Sequence, residues 1–193
     1  MPHNSTNYHH DALWDDPEKK RYRQECVITP AQELFGFTLP LAKQYWTLCG
    51  AHFNQKTNAP LKGELGNVAD VGFIQHSQFH GVDHAVDAKG QPIIIPQNKV
   101  LYPQANWYHG DFLKEMKKAH RNKNFNPAVI NFDGVQQVKF SAQYLSKMFS
   151  FIDVAVHDAM LLSISVILKS PYPRHIVKPL PMLATLILIY INN

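Results

Sequence analysis

Cysteine is scarce in this chain, and neither cysteine has a partner close by in sequence. Cys26 and Cys49 are the two cysteines among 193 residues, and neither belongs to a Cys-x-x-Cys pair. A disulfide framework and a Cys-x-x-Cys metal or redox site are therefore excluded. Free thiols are typical of proteins of the reducing cytosol. We accordingly expect a cytoplasmic protein.

Apolar runs long enough to cross a bilayer are also missing. The longest runs are residues 160–168 and 183–191, each far shorter than the ~20 residues that a spanning helix needs. Four prolines lie between the two runs, so we interpret the runs as two separate buried strands. The N-terminal residues have no apolar signal-peptide core. The sequence thus predicts a soluble protein with no membrane partner.

Charge is modest in amount and slightly positive in sign. Charged residues make up 18% of the chain and apolar residues 45%, which is an ordinary globular balance. The formal net charge of +4 permits an anionic partner without requiring one. Residues 1–24 are polar and predict an N-terminal leader with a short helix near Pro17. Residues 25–193 are enough for a single domain with a substantial core. Nothing in the composition indicates an oligomeric state.

Strand and helix patterns alternate along residues 25–193. The predicted strands are 41–50 (a strand or the end of a helix), 77–85, 106–112, 126–133, 160–168 and 183–191. The predicted helices begin at Thr29 and at residues 64, 112 and 140, and we expect residues 51–63 and 88–103 to be irregular. Alternation of this kind predicts an α/β fold with a mainly parallel sheet.

Small or acidic residues stand where the predicted strands end. These are Gly50, Asp83, Asp111 and Asp133. In parallel sheets, ligands bind beyond the carboxyl ends of the strands. Each acid also has a structural interpretation: Asp83 in a turn or a cap, Asp111 as the N-cap of the next helix, and Asp133 in a turn before Gly134. Their occurrence in this order makes a ligand site the stronger hypothesis.

The order YWTLCG, GVDHA, WYHGDF and PAVINFD, within residues 41–135, resembles the nucleotide-binding half of class I S-adenosylmethionine-dependent methyltransferases. The resemblance implies a Rossmann-like three-layer sandwich with S-adenosylmethionine as the cofactor. It implies that Cys49 and Gly50 approach the methionine part and that Asp83 accepts hydrogen bonds from the ribose hydroxyls. Gly110 and Asp111 would lie beside the adenine.

The same resemblance implies a catalytic position on the fourth strand, at Asn131 or Asp133, facing the methyl acceptor. The chain departs from the family pattern in its first loop, CGAHFNQ, which has no GxGxG. The fourth strand has no Asn/Asp-Pro-Pro-Tyr/Phe box either. These departures favour the alternative, a catalytically inactive nucleic-acid-binding or interaction protein on the same fold. Asp83 and Asp111 favour cofactor binding.

A basic stripe lies on the predicted helix after residue 112. Lys114, Lys117, Lys118 and Arg121 share one helical face by the three-and-four rule. Such a stripe is often just a solvated face, but it is also where a phosphate backbone can lie. We therefore expect DNA or RNA as the partner, if the chain has an anionic one.

Three histidines, His76, His80 and His84, recur every four residues. On a helix they would share a face, and with His52 or His109 they could bind zinc. On a strand the outer two are about 13 Å apart at ~3.3 Å per residue, too far for one ion. The residues between them favour a strand, so we expect no metal site. His109, at a strand end, is either an acid–base group or a structural histidine.

Overall fold

Six β-strands form one sheet in the computed structural model, which describes residues 17–54, 57–137, 146–152, 159–168 and 182–190. The strands are β1 (Gln44–Leu48), β2 (Phe79–Asp83), β3 (Asn106–His109), β4 (Pro127–Gln137), β5 (Met160–Leu168) and β6 (Met182–Tyr190). Their order is β3-β2-β1-β4-β5-β6. Strands β1 to β5 are all parallel, and β6 pairs antiparallel to β5. The predicted α/β fold with a mainly parallel sheet is confirmed.

The order of the strands reverses direction at the centre of the sheet. From β1 the chain moves outward to β2 and then β3, and it returns to the other side of β1 to form β4. The carboxyl ends of β1 and β4 therefore flank a topological switch point. In open α/β sheets this is where ligands bind, because the two connections leave in opposite directions and open a crevice.

Helices cover both faces of the sheet. They are α1 (Pro17–Arg23), α2 (Thr29–Phe35), α3 (Gly63–Asp70), α4 (Ile95–Leu101) and α5 (Phe112–Arg121). A π-helical turn, Gln24–Ile28, joins α1 to α2, and His76–Gln78 form a 3-10 turn. Residues 146–152 are also helical. Over the described residues, no helix has both the length and the apolar character needed to cross a membrane.

Two apolar clusters, one on each face of the sheet, form the core. On the first face, strand residues such as Tyr45 and Phe79 pack against the layer that contains α2, α3 and α4. On the second face, Trp46 and Val82 pack against α5 and residues 146–152. Tyr45 and Trp46, which are successive residues of β1, thus belong to opposite clusters, as the period of two in a strand requires. Burial on both faces explains the continuous apolar stretches AVI in β4 and MLL in β5.

Several predicted boundaries differ from the structure. Residues 88–103, predicted to be irregular, contain α4, whose first turn holds Pro96 and whose Ile95 and Asn98 are buried. Proline is compatible with the first turn of a helix because its missing N–H has no partner there. The short predicted helix near Pro17 is confirmed as α1. The helical run continues across the predicted leader boundary at 24/25, and Arg23 is 2% exposed. Residues 1–16, and 140–145 of the last predicted helix, lie outside the described residues.

Candidate functional site

The five residues predicted to contact a cofactor lie at the carboxyl ends of three adjacent strands: Cys49, Gly50, Asp83, Gly110 and Asp111. Backbone hydrogen bonds connect these strand ends. The Cys49 N–H donates to the Val82 carbonyl at 3.0 Å, and the Gly110 N–H donates to the Asp83 carbonyl at 3.0 Å. The residues therefore share the carboxyl edge formed by β1, β2 and β3. Their role in cofactor binding stays a prediction.

Asp83 is a partly buried carboxylate at the end of β2. Its Oδ1 accepts the Ala85 N–H at 2.7 Å, which is the turn geometry expected of a strand-end aspartate. Burial raises the pKa of the Asp83 carboxyl above its usual value. The Ala85 N–H and the neighbouring His84 and His109 lower this pKa, but their effect is smaller than that of burial. Within the described residues, no hydrogen bond reaches Oδ2. A charged carboxylate in this position gains from any further donor that a ligand brings.

Asp111 is the N-cap of α5. Its Oδ1 accepts the Lys114 N–H at 2.9 Å, which satisfies one of the amides that the first helical turn leaves unpaired. The capping interpretation is therefore observed. Asp111 is also exposed, so capping does not prevent contact with a ligand. Gly110, with φ of 147°, lets the chain turn from β3 into this cap.

The loop after β1 is fixed by a buried histidine that the sequence did not single out as an anchor. The His52 Nε2 accepts the Leu65 N–H at 3.2 Å, so the proton lies on Nδ1, 3.2 Å from the Gly50 carbonyl oxygen. Burial lowers the pKa of His52 to about 4, so the ring is neutral at pH 7. A Cβ on Gly63, where φ is +54°, would come within 2.6 Å of this ring. Glycine is therefore required for α3 to begin against His52.

Asn98 holds the same loop from α4. Its Oδ1 accepts the backbone N–H of His52 at 2.9 Å, and its Nδ2 donates to the Gly50 carbonyl at 3.1 Å. Asn98 is fully buried, so these bonds are protected from water. The loop at Gly50 thus has a defined path without a glycine-rich sequence. This clamp was not predicted because α4 itself was not predicted.

A buried carboxylate, Glu64, lies beneath the switch point. It is 1% exposed and accepts hydrogen bonds from Tyr45 Oη at 2.6 Å, Thr47 Oγ1 at 3.0 Å and Asn131 Nδ2 at 2.7 Å. Burial, and then the charge of Glu64, raise the pKa of Tyr45 well above its usual value. The sequence offered one signal: Tyr45 and Thr47 place hydroxyls on the same face of an otherwise buried strand.

Asn131, one of the two predicted catalytic residues, belongs to this buried cluster. It is 1% exposed, and its amide N–H is engaged by Glu64. Its Oδ1 has no hydrogen-bond partner among the described residues. The backbone of Asp133, the other candidate, continues β4, and its side chain lies outside the described part. The catalytic role of both residues stays a prediction.

The three histidines at residues 76–84 are placed in different surroundings. His76 begins the 3-10 turn and His84 follows β2, whereas His80 lies within β2, as the strand interpretation predicted. His80 stacks on Trp46 with ring centroids 4.6 Å apart, and its Nδ1 is 3.0 Å from Tyr108 Oη. Burial lowers its pKa to about 4. Among the described residues, no three His, Cys, Asp or Glu side chains are grouped to hold a metal ion.

The carboxyl edge therefore combines a clamped loop, a carboxylate that is short of hydrogen bonds and an exposed helix-cap carboxylate on three neighbouring strands. Comparison of this chain with protein-family models, with curated proteins and with solved structures finds no match. The functional interpretation consequently depends on the residues and geometry described above. These features suit a polar ligand that donates hydrogen bonds to carboxylates.

Proposed function

We propose that the protein binds S-adenosylmethionine along the carboxyl edge of β1, β2 and β3 as a methyltransferase of the class I type. The observation that carries the proposal is the strand order β3-β2-β1-β4-β5. It puts the loop at Gly50 beside the switch point and Asp83 on the adjacent strand.

The carboxylate of Asp83 supports the ribose assignment. A ribose presents two neighbouring hydroxyls, and a carboxylate can accept both. Because burial raises the pKa of Asp83, its charged form is short of stabilising partners, and two hydroxyl donors would supply them. Cys49 is 4% exposed and Gly50 is buried, so these two residues would support the ligand site from beneath.

The chain's own residues would contribute orientation rather than covalent chemistry. S-adenosylmethionine supplies an activated methyl group on a sulfonium when it is bound. Asp83 and Asp111 would hold the nucleoside, while the Asn98 and His52 clamp keeps the first loop in place. Transfer to a nucleophile held in line then depends on positioning. The positive charge of α5 favours nucleic acid as the acceptor.

A second function is favoured by the surroundings of Asn131. Its amide is buried and engaged by Glu64, so it offers little to an acceptor at the surface. A protein on this fold that binds nucleic acid without transferring a methyl group would have this arrangement. The two functions differ in cofactor binding, which can be measured directly.

Calorimetric titration of the purified protein with S-adenosylmethionine and S-adenosylhomocysteine tests the proposal. We expect saturable binding in the micromolar range. Asp83→Asn should weaken it about 10- to 150-fold, because hydrogen bonds to a charged group contribute about 1.5–3 kcal/mol. The side-chain carbonyl of the introduced asparagine can still accept the Ala85 N–H, so the fold should persist.

Asp87→Asn is the matched control. Asp87 is exposed, and its Oδ1 accepts the Lys89 and Gln91 N–H groups at 2.8 Å. The same chemical change there should leave affinity unaltered. Equal affinity in the Asp83 and Asp87 variants would reject the ribose assignment. No binding at millimolar ligand would reject the cofactor proposal and leave the nucleic-acid-binding function.

A further inference from the structure

The outer face of α5 carries mainly cationic side chains. Lys114, Lys117, Lys118 and Arg121 are exposed, whereas the inner side of the same helix is buried in the core. The stripe extends from Lys114 to Arg121, a rise of about 10 Å at 1.5 Å per residue. Glu115 is the one acidic residue that lines this face, and its Oε2 lies 3.6 Å from Lys118 Nζ. Over the described residues, the face is therefore strongly positive.

A groove of about 440 Å³ lies between this face and the helical segment 146–152, and the ring of Phe151 lines it. Lys117 Nζ is 5.8 Å from the centroid of this ring, and the His120 ring meets it edge-on at 5.6 Å. Phe125 packs against Phe151 with centroids 5.5 Å apart, and Trp46 lies 5.4 Å beyond Phe125. The core thus supports an aromatic ring that lines a cationic groove.

A cationic groove with an aromatic ring fits a partner that has both negative charge and flat, accessible rings. Unstacked nucleotides have both, since phosphates pair with lysine and arginine and any base can stack on an aromatic side chain. A duplex keeps its base faces inside the stack, and an acidic peptide or a lipid headgroup has no regular series of flat rings. The groove therefore favours single-stranded nucleic acid over these other polyanions.

We propose that this groove binds single-stranded DNA or RNA, with a base on Phe151 and phosphates along Lys114, Lys117, Lys118 and Arg121. The inference deepens the proposed function, on which it rests, because it names the class of methyl acceptor. Helix α5 begins at Phe112, directly after its N-cap Asp111 on the carboxyl edge of the sheet. A nucleic-acid strand bound along α5 toward the N-terminus of the helix therefore leads to the predicted cofactor site.

Fluorescence anisotropy with a labelled single-stranded oligonucleotide tests the proposal on the full chain without cofactor. Four phosphate contacts predict a slope of about −2.8 for log K against log salt, at about −0.7 for each contact. Affinity should then fall about 50-fold between 50 and 200 mM salt. The double variant Lys117→Ala/Arg121→Ala should halve the slope. Lys99→Ala removes one positive charge from an exposed position on α4 and should leave both the affinity and the slope unchanged.

Phe151→Leu separates stacking from charge. Loss of one stacked base should weaken binding about 5- to 150-fold, with the salt slope unchanged. Phe149→Leu is the matched control, because Phe149 is 39% exposed and does not line the groove. Thermal unfolding of each variant verifies that it is folded. The double variant Lys117→Ala/Arg121→Ala tests the groove independently of Phe151.

Three results would overturn the proposal. The first is that a duplex binds as tightly as the single strand and that Phe151→Leu does not change the affinity, which would indicate binding to the phosphate backbone alone. The second is polyglutamate bound as tightly as the oligonucleotide, which indicates an acidic protein partner. The third is no binding at 50 mM salt. Asp83→Asn should leave oligonucleotide affinity unchanged and Phe151→Leu should leave cofactor affinity unchanged, so failure of one proposal is distinguishable from failure of the other.

Discussion

Glu64 accepts hydrogen bonds from donors on two strands, and replacing it with alanine would leave those donors buried without their acceptor. Thr47 has a second acceptor, the Leu48 carbonyl, 3.3 Å away. The Tyr45 hydroxyl and the Asn131 amide have no other acceptor among the described residues. Each orphaned donor costs about 1–3 kcal/mol. Glu64→Ala should therefore lower the free energy of unfolding by about 2–6 kcal/mol, a large part of the usual total of roughly 5–15 kcal/mol.

Glu64→Gln keeps the shape and most of the hydrogen bonds. The amide oxygen can replace Oε1 as the acceptor for Tyr45 and Asn131, and the amide nitrogen can donate to Thr47 Oγ1 while the Thr47 hydroxyl turns to Leu48. Hydrogen bonds to a neutral acceptor are weaker than bonds to a charged one by about 1 kcal/mol each. Relief of the buried charge offsets part of that loss, so we expect a cost of less than about 2 kcal/mol.

Urea denaturation followed by tryptophan fluorescence measures both variants, since Trp46 lies in the core beside Tyr45 and Thr47. Asp70→Ala serves as the control, because the Asp70 side chain is 53% exposed in its ion pair with Lys62 and should cost less than about 1 kcal/mol. If Glu64→Gln destabilises as much as Glu64→Ala, the negative charge itself is what the fold requires. If Glu64→Ala costs less than about 1 kcal/mol, the reasoning about orphaned donors is refuted.

Three further perturbations test the buried groups around the site. Asp83→Asn should stabilise the fold at pH 7 by about 1.4 kcal/mol for each pH unit by which burial raises the pKa of the Asp83 carboxyl. When denaturation is measured below the usual aspartate pKa, the two proteins should be equally stable. The pKa values of His52 and His80 are lowered to about 4. Each histidine should therefore reduce the free energy of unfolding by about 3 kcal/mol as the pH falls from 6.5 to 4, because the unfolded chain then binds protons that the folded chain does not. Denaturation at both pH values measures the combined loss, and His80→Gln should remove about half of it. Gly81→Ala should lower the melting temperature through a cost of about 1–3 kcal/mol, because a Cβ there would lie 2.7 Å from the Trp107 ring.

Each of these expectations has a contrary result. A destabilised Asp83→Asn protein at pH 7 would mean that the carboxylate is better solvated than its position implies. A flat stability profile between pH 6.5 and pH 4 would mean that the buried histidines accept protons without unfolding. An unchanged melting temperature for Gly81→Ala would mean that Trp107 moves aside without loss.

The strands were predictable because each depends on local pattern. The aromatic and β-branched residues Phe79 and Val82 predicted β2, and the apolar run beginning at Met160 predicted β5, without knowledge of their neighbours. Helix α4 was missed because the proline and glycine around its apolar start predicted a loop. The buried Asn98 that explains the helix bonds to His52 and Gly50, which lie 46 and 48 positions earlier in the chain.

The strand-end positions of Asp83 and Asp111 were also predictable, because an acid after a short apolar segment is a local signal. The clusters around His52 and Glu64 were not. Each joins residues that are well separated in sequence, such as Glu64 and Asn131, which are 67 positions apart. Nothing in the first turn of α3 distinguishes a buried glutamate from the solvated acids that are common at helix N-termini.

The polar residues that cross the sheet have a consequence for how the strands align during folding. Thr47, Asn131 and Ser163 are direct neighbours on β1, β4 and β5, in strands whose other residues are mostly apolar and interchangeable. A slip of β4 by one residue would turn the Asn131 amide to the opposite face and bring Ile130 toward Glu64. Such a misaligned sheet would bury a carboxylate against hydrocarbon. These three polar residues thus select one alignment of the strands among several that apolar packing alone would tolerate.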